Sequence, residues 1–173
     1  TATQAVTYTI TDANDNAPVF TSNAAVSIVE NTKGPTLLET TDADAGSTVT
    51  YSLSGADADD FEIVNNTLAL KEAADFETKS SYAVTVTASD GENTATQAVT
   101  YTITDANDNA PVFTSNAAVS IVENTKGPTL LETTDADTNS TVSYSLSGAD
   151  ADDFEIVNNT LALKEAADFE TKT

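Results

Sequence analysis

Three stretches of the chain alternate between apolar and small polar residues. "YAVTVTAS" sets Tyr82, Val84, Val86 and Ala88 against threonine and serine. "AVTYTIT" does the same with Val99, Tyr101 and Ile103, and "TVTYSLS" with Val49, Tyr51 and Leu53. A period of two in Val, Tyr, Ile and Thr predicts half-buried β-strands. "AAVSIVEN", "FEIV" and "TLAL" predict shorter strands, and Asn65-Asn66 predicts the turn between the last two. "KEAADFE" is short and flanked by strands, so it reads as a connection with at most one helical turn. About seven short strands to a module, these six among them, with turn signals between them predict an all-β sandwich.

The pattern repeats. Residues 1–80 align with 94–173 at an offset of 93, and the two copies differ only at Ala45/Thr138, Gly46/Asn139, Thr50/Ser143 and Ser80/Thr173. A period that long is a whole small domain, so the chain reads as a string of near-identical modules. "DANDN" stands before Pro18 and again before Pro111. Proline fits poorly inside central strands and favours an extended residue before it, so "DANDN" reads as an inter-module linker. The boundaries follow. Residues 1–16 are the last strand and linker of a preceding module, 17–109 a complete module, and 110–173 a partial module without its last two strands. The chain begins in mid-pattern and reads as part of something longer. The partial module is truncated, clipped or completed by a neighbouring molecule; the sequence leaves these alternatives open.

Charge narrows the partners. Twenty-eight acidic residues face six lysines, for a formal net charge of −22. Phosphate binding needs clustered Lys and Arg, so a nucleic-acid partner is excluded, and docking on an anionic membrane is disfavoured. No apolar run approaches the roughly 18 residues of a membrane span. Cysteine and histidine are absent, which removes disulfides and thiolate or imidazole metal sites. An acidic surface serves either solubility or the binding of hard cations through oxygen.

The acids are clustered. "VEN" (29–31), "DAD" (42–44), "DFE" (75–77), "SDG" (89–91) and the linker "DANDN" all fall at predicted strand ends or connections. Each alone is equally a turn, because Asp and Asn favour turns without any ligand. "GADADDFE" (55–62) lacks the glycine and distal glutamate of a hand-type calcium loop and reads as a solvated loop.

Together and in this order, the clusters resemble those of cadherin repeats. That family carries a glutamate near the first strand, a D-x-D, a D-R-E-like triplet, an A-x-D-x-G-like turn, and a D-x-N-D-N-x-P-x-F linker. Here they are Glu30; Asp42 and Asp44; Asp75 and Glu77; Asp90 in "ASDG"; and "DANDNAPVF" at 12–20 and 105–113. The sequence departs from the family at Phe76, where arginine is usual. It also departs at Thr48 and Thr141 in place of asparagine, and at Asn139 in place of glycine.

The resemblance implies tandem seven-stranded Greek-key (Ig/cadherin-like) sandwich modules joined end to end, with calcium clamped between them. At the junction after the complete module it implies Glu30, Asp75 and Glu77 as ligands. Asp105, Ala106 (by its carbonyl), Asn107, Asp108 and Asn109 of the linker join them, with Asp135 and Asp137 of the next module. At the amino-terminal junction it implies Asp12, Asn14, Asp15, Asn16, Asp42, Asp44 and Asp90. There Glu123, Asp168 and Glu170 of a neighbouring molecule would supply the preceding module's carboxylates. Two carboxylates 4 Å apart repel by about 4 kcal/mol at an effective dielectric of 20, so such clusters call for counter-ions. Calcium, with flexible coordination by six to eight oxygens, suits this donor set better than magnesium.

Near-identical copies resemble the extender region of a large bacterial surface adhesin, including the RTX type. That implies an extracellular stalk stiffened by calcium, whose partners are adjacent identical modules, with an unknown ligand bound elsewhere. The alternative is an adhesive module, homophilic or carbohydrate-binding, which would need an exposed aromatic patch. An enzyme is not expected: there is no His or Cys, and no serine has a visible base.

Overall fold

The structure, a computed structural model, describes residues 1–171. Lys172 and Thr173, the end of the expected partial module, lie outside the described residues. The chain is all-β. Helical structure among the described residues is limited to two 3₁₀ turns, Ala58–Asp60 and Ala151–Asp153. It divides into two compact units, Thr1–Ala106 and Asn107–Thr173, and the division falls inside the second "DANDN".

In the first unit the alternating stretches become β5 (Thr50–Ser54), β8 (Ser81–Ser89) and β9 (Thr94–Thr104). The shorter ones become β2 (Ala25–Val29), β6 (Phe61–Val64) and β7 (Thr67–Leu70). Three two-residue strands complete it: β1 (Val19–Phe20), β3 (Thr36–Leu37) and β4 (Thr40–Thr41). One sheet runs β2-β9-β8-β5, a second runs β3-β7-β6, and β1 pairs with β4. β9 runs antiparallel to β8 and parallel to β2, with Val26 opposite Tyr101 and Ile28 opposite Ile103.

Period two does the sorting. Val84, Val86 and Ala88 of β8 and Val99, Tyr101 and Ile103 of β9 are buried, while the residues between them are not. All but Ala88 form one cluster with Phe61, Leu68 and Leu70 of the second sheet, plus Leu38 and Ala74. Tyr101 crosses this core. Its ring meets Phe61 edge-on at 5.1 Å, and its hydroxyl lies within hydrogen-bond distance of Thr36 Oγ1 (2.8 Å) and of the Leu68 carbonyl (3.2 Å), so the buried hydroxyl is satisfied. Gly34, at φ +58, makes room for it. A Cβ there would stand 2.7 Å from Ile28 and 3.1 Å from Tyr101. Asn65 and Asn66 turn β6 into β7 with φ of 50° and 59°, the pair of positive φ values that a tight hairpin needs.

"KEAADFE" forms no helix; just after it the Lys79 N–H bonds the Asp75 carbonyl at 2.9 Å, as in a single helical turn. The 55–62 loop is largely exposed, as expected, and is anchored at Asp57. Asp57 accepts from Lys79 Nζ (2.8 Å) and the Ala83 N–H (2.7 Å), which fixes the 3₁₀ turn against β8.

The second unit holds β10 (Val112–Phe113), β11 (Thr129–Leu130), β12 (Thr133–Thr134), β13 (Phe154–Val157) and β14 (Thr160–Leu163). β11-β14-β13 reproduces β3-β7-β6 in the same register, and β10 pairs with β12 as β1 does with β4. The other sheet is not reproduced. Residues 118–122 and 143–147 match β2 and β5 in sequence apart from Ser143 in place of Thr50, yet form no strand. In the first unit those strands pair with β9 and β8, and no described residue of the second unit takes those places. Residues 1–11 show the same dependence. They repeat β9 letter for letter but form no strand.

Candidate metal centre

The first "DANDN" is tied into one pole of the first unit. The Asn16 backbone N–H donates to Asp44 Oδ2 (2.8 Å) and its side-chain amide to Asp44 Oδ1 (2.7 Å). The Ala45 N–H donates to Asp12 Oδ2 at 2.6 Å, and the Asp44 N–H to Asp42 Oδ1 at 2.9 Å. The turn after β8 closes the other side, with Asp90 Oδ1 accepting the N–H groups of Glu92 and Asn93. These bonds, that from Asn93 first, hold the Asp90 carboxyl below the usual aspartate range. The Asp42, Asp44 and Asp90 carboxylates each place an oxygen within 4.8 Å of the others. Asp44 and Asp90, with Asp12 and Asn14, border a cleft of about 390 Å³.

Oxygen is in excess here. Asp44 is buried, and Asp42 Oδ2 is buried without a hydrogen-bond partner among the described residues. The Asn14 side-chain amide donates to Asp44 Oδ2 at 2.9 Å and Asp90 Oδ2 at 3.1 Å. The donor set, all carboxylate, amide and backbone oxygen, fits a hard divalent cation. Asp15, by contrast, bonds the Asn16 side chain on the exposed side.

The opposite end of β9 builds a second cluster. Glu30 is buried at 3% exposure, between the ends of β2 and β9. Its Oε1 accepts the Ala106 N–H (2.7 Å) and its Oε2 the Phe76 N–H (2.8 Å). Two backbone donors satisfy this buried carboxylate and leave lone pairs on both oxygens. Asp75 and Glu77 lie beside it, the three within 4.8 Å of one another. Thr78 bonds Asp75 through its hydroxyl (2.8 Å) and its N–H (3.0 Å), which lowers the Asp75 pKa. Asp105 follows β9 directly.

In the second unit Asn109 clasps Asp137 as Asn16 clasps Asp44, with bonds of 2.9 and 2.8 Å, and its amide also reaches Asp108. Asp135 accepts the Asp137 N–H at 3.1 Å. Asn107 lies in the same stretch. Glu123, Asp168 and Glu170 again gather within 4.8 Å, all exposed. Bonds from Thr171 and Glu170 hold the Asp168 pKa down.

One contributor was missed in the sequence. Asn93 reaches across with its amide to the carbonyls of Asn14 (3.3 Å) and Asn16 (3.1 Å) and so docks the linker on the β8–β9 turn. Its place three residues after Asp90 in "SDGEN" was the available signal.

No family model matches the sequence, and no curated protein matches it. Solved structures do. Human protocadherin-24 EC1-2 superposes with a TM-score of 0.71 at 23% identity, covering 93% of this chain and 82% of that one. The fold is that of cadherin domains. Protocadherin gamma B7 extracellular cadherin domains 1-4 match at TM-score 0.69 and 27% identity, over 94% of this chain and 44% of that one. Mouse cadherin-23 EC22-24 matches at TM-score 0.64 and 23% identity, over 90% and 56%. The chain thus spans less than two thirds of the latter two. Like them it has a cadherin-like sandwich, and no helix among its described residues is long and apolar enough to cross a membrane.

Proposed function

We propose that the chain is a calcium-binding stalk segment, an extender of a large extracellular surface adhesin whose inter-module linkers stiffen when calcium binds. The observation that carries the reading is the gathering of carboxylate oxygen at the Asp12–Asn16 pole. Asp42 Oδ2 is buried without a donor among the described residues, and Asp42, Asp44 and Asp90 each place an oxygen within 4.8 Å of the others. Asp12, Asn14, Asn16, Asp42, Asp44 and Asp90 would hold the ion there. Glu30, Asp75, Glu77 and Asp105 with the Ala106 carbonyl would serve at the other end of β9, together with Asn107, Asp108, Asn109, Asp135 and Asp137. Calcium would supply positive charge among like charges and cross-link linker to module. Near-identity of the two copies supports a repeated mechanical part, because distinct partners would call for distinct surfaces. The aromatic side chains of the complete module are spent on packing: Phe20, Tyr51, Phe61, Phe76, Tyr82 and Tyr101 all belong to or touch the core. That speaks against an aromatic binding groove in this module.

The test is thermal unfolding in EDTA, in calcium and in magnesium at equal ionic strength. A ligand that binds only the folded state raises the unfolding temperature by mass action. A rise with calcium well beyond that with magnesium is expected. Equal temperatures in all three would reduce the clusters to turns and solubilising charge.

A further inference from the structure

The amino-terminal pole holds five aspartates, Asp12, Asp15, Asp42, Asp44 and Asp90, and the ion pairs of the described residues lie elsewhere, from Lys79 to Asp57 and Asp60 and from Lys126 to Glu155. The side-chain donors that hold the linker here are asparagines. The amides of Asn14 and Asn16 bond carboxylates, those of Asp44, Asp90 and Asp15. Asn93 bonds the linker's backbone instead. Its amide donates to the carbonyls of Asn14 at 3.3 Å and Asn16 at 3.1 Å, and reaches Asp90 Oδ2 at 3.4 Å. Asn93 is itself held in place. Its N–H bonds Asp90 Oδ1 at 2.6 Å, and its carbonyl accepts the Asp90 N–H at 3.3 Å. The turn it stands in closes the β8–β9 ladder just beyond the pair of Ser89 with Thr94, so the amide is carried on the tip of a hairpin rooted in the core.

We infer that Asn93 is a positioning residue: it latches the first "DANDN" onto the first unit whether or not an ion is bound, and so sets Asp12, Asn14 and Asn16 in place for one. The positioning role rests on the calcium reading above; the latch rests on the chain's own hydrogen bonds. The chemistry of an amide suits both. A lysine ammonium at this place would neutralise the pole, and a divalent cation would have to displace it. An asparagine amide donates two N–H groups and carries no charge, so it orders the linker and leaves the pole's negative charge intact. Each carbonyl it bonds also keeps a second lone pair. The bonds are long-range in sequence, spanning 79 and 77 residues, so they tie the linker to a separate, rigid element. A chain segment ordered before its ligand arrives binds that ligand more tightly, because its loss of freedom no longer opposes binding.

Amide hydrogen exchange of the 173-residue chain in EDTA, followed by NMR, reads the latch. The Asn16 N–H, which bonds Asp44 Oδ2, should be protected in the original chain. In Asn93→Ala it should exchange about tenfold faster, the change expected when a hydrogen bond of ordinary net strength is lost. The amides of Val84, Val99 and Tyr101 in the core strands should keep their protection, which shows the sandwich intact. Glu92→Ala, at an exposed position of the same turn, should leave Asn16 protected. Equal protection of Asn16 in Asn93→Ala and the original chain overturns the latch, and so does an unprotected Asn16 in the original. A calcium titration followed at the Asn16 and Glu92 amides then reads this pole alone. Asn93→Ala should bind about tenfold more weakly, at the low end of the 10–100-fold typical for groups that orient metal ligands. Unchanged affinity overturns the positioning role. Amides of the original chain that ignore calcium overturn the calcium reading and the positioning role together, while the exchange rates in EDTA still decide the latch.

Discussion

Asp44 is the most confined carboxylate of the amino-terminal pole. It takes both the backbone and the side-chain N–H of Asn16, and its own N–H is committed to Asp42. Removing it leaves two donors without their acceptor, which costs about 1–3 kcal/mol for a part-buried pair. Asp44→Ala should therefore lower the unfolding temperature in EDTA and also shrink the calcium-induced rise. Asp59→Asn, on the exposed 3₁₀ turn away from the pole, should do neither. A calorimetric scan of both variants with and without calcium separates the structural loss from the loss of a ligand. Asp90 permits a pH test. Its folded pKa is lowered by the Asn93 and Glu92 N–H groups, so its contribution is present above the ordinary aspartate range and is lost as pH falls through the lowered value. In EDTA, the unfolding temperature of Asp90→Ala should trail that of the original chain near neutrality. The gap should narrow below about pH 4.

At the scale of elements, the hairpin turn and the strands obey different rules. The β6–β7 turn is local, because Asn65 and Asn66 hold positive φ in the first unit and Asn158 and Asn159 hold it again in the second. A β-branched residue there costs about 1–2 kcal/mol, while glycine carries no such penalty. Asn66→Val should lower the unfolding temperature measured by circular dichroism, and Asn66→Gly should hold or raise it. The strands are not local. "TATQAVTYTIT" is a strand at 94–104, where β2 and β8 flank it, and not at 1–11. "AVSIV" is a strand at 25–29 and not at 118–122. Alternation made β5 to β9 and β2 legible in the complete module because each has its neighbour. The same letters misled for residues 1–11, 118–122 and 143–147, because strand formation depends on a partner ladder. The two-residue strands β1, β3 and β4 were too short for any period to show. The acidic sites were legible as an ordered set of motifs. Asn93 was not, since its role is a reach between two turns 77 and 79 residues apart in sequence.

Over the whole molecule, a net charge of −22 with six lysines makes every linker self-repelling. Two agents relieve that repulsion in different ways. Monovalent salt screens exposed charges beyond about 10 Å at 0.1 M without binding any of them. A divalent ion held by linker and module together removes the freedom of the joint as well. Small-angle scattering distinguishes the two. Added sodium chloride in EDTA should contract the average dimension and leave a broad distribution of distances. Calcium at matched ionic strength should narrow that distribution around one arrangement and sharpen the features of the scattering curve. If calcium and sodium chloride gave the same curve, the acidic linkers would be ordinary polyelectrolyte. The order of the first linker would then come from the bonds already seen, from Asn16 to Asp44 and from Asn93 to Asn14, and not from a bound ion.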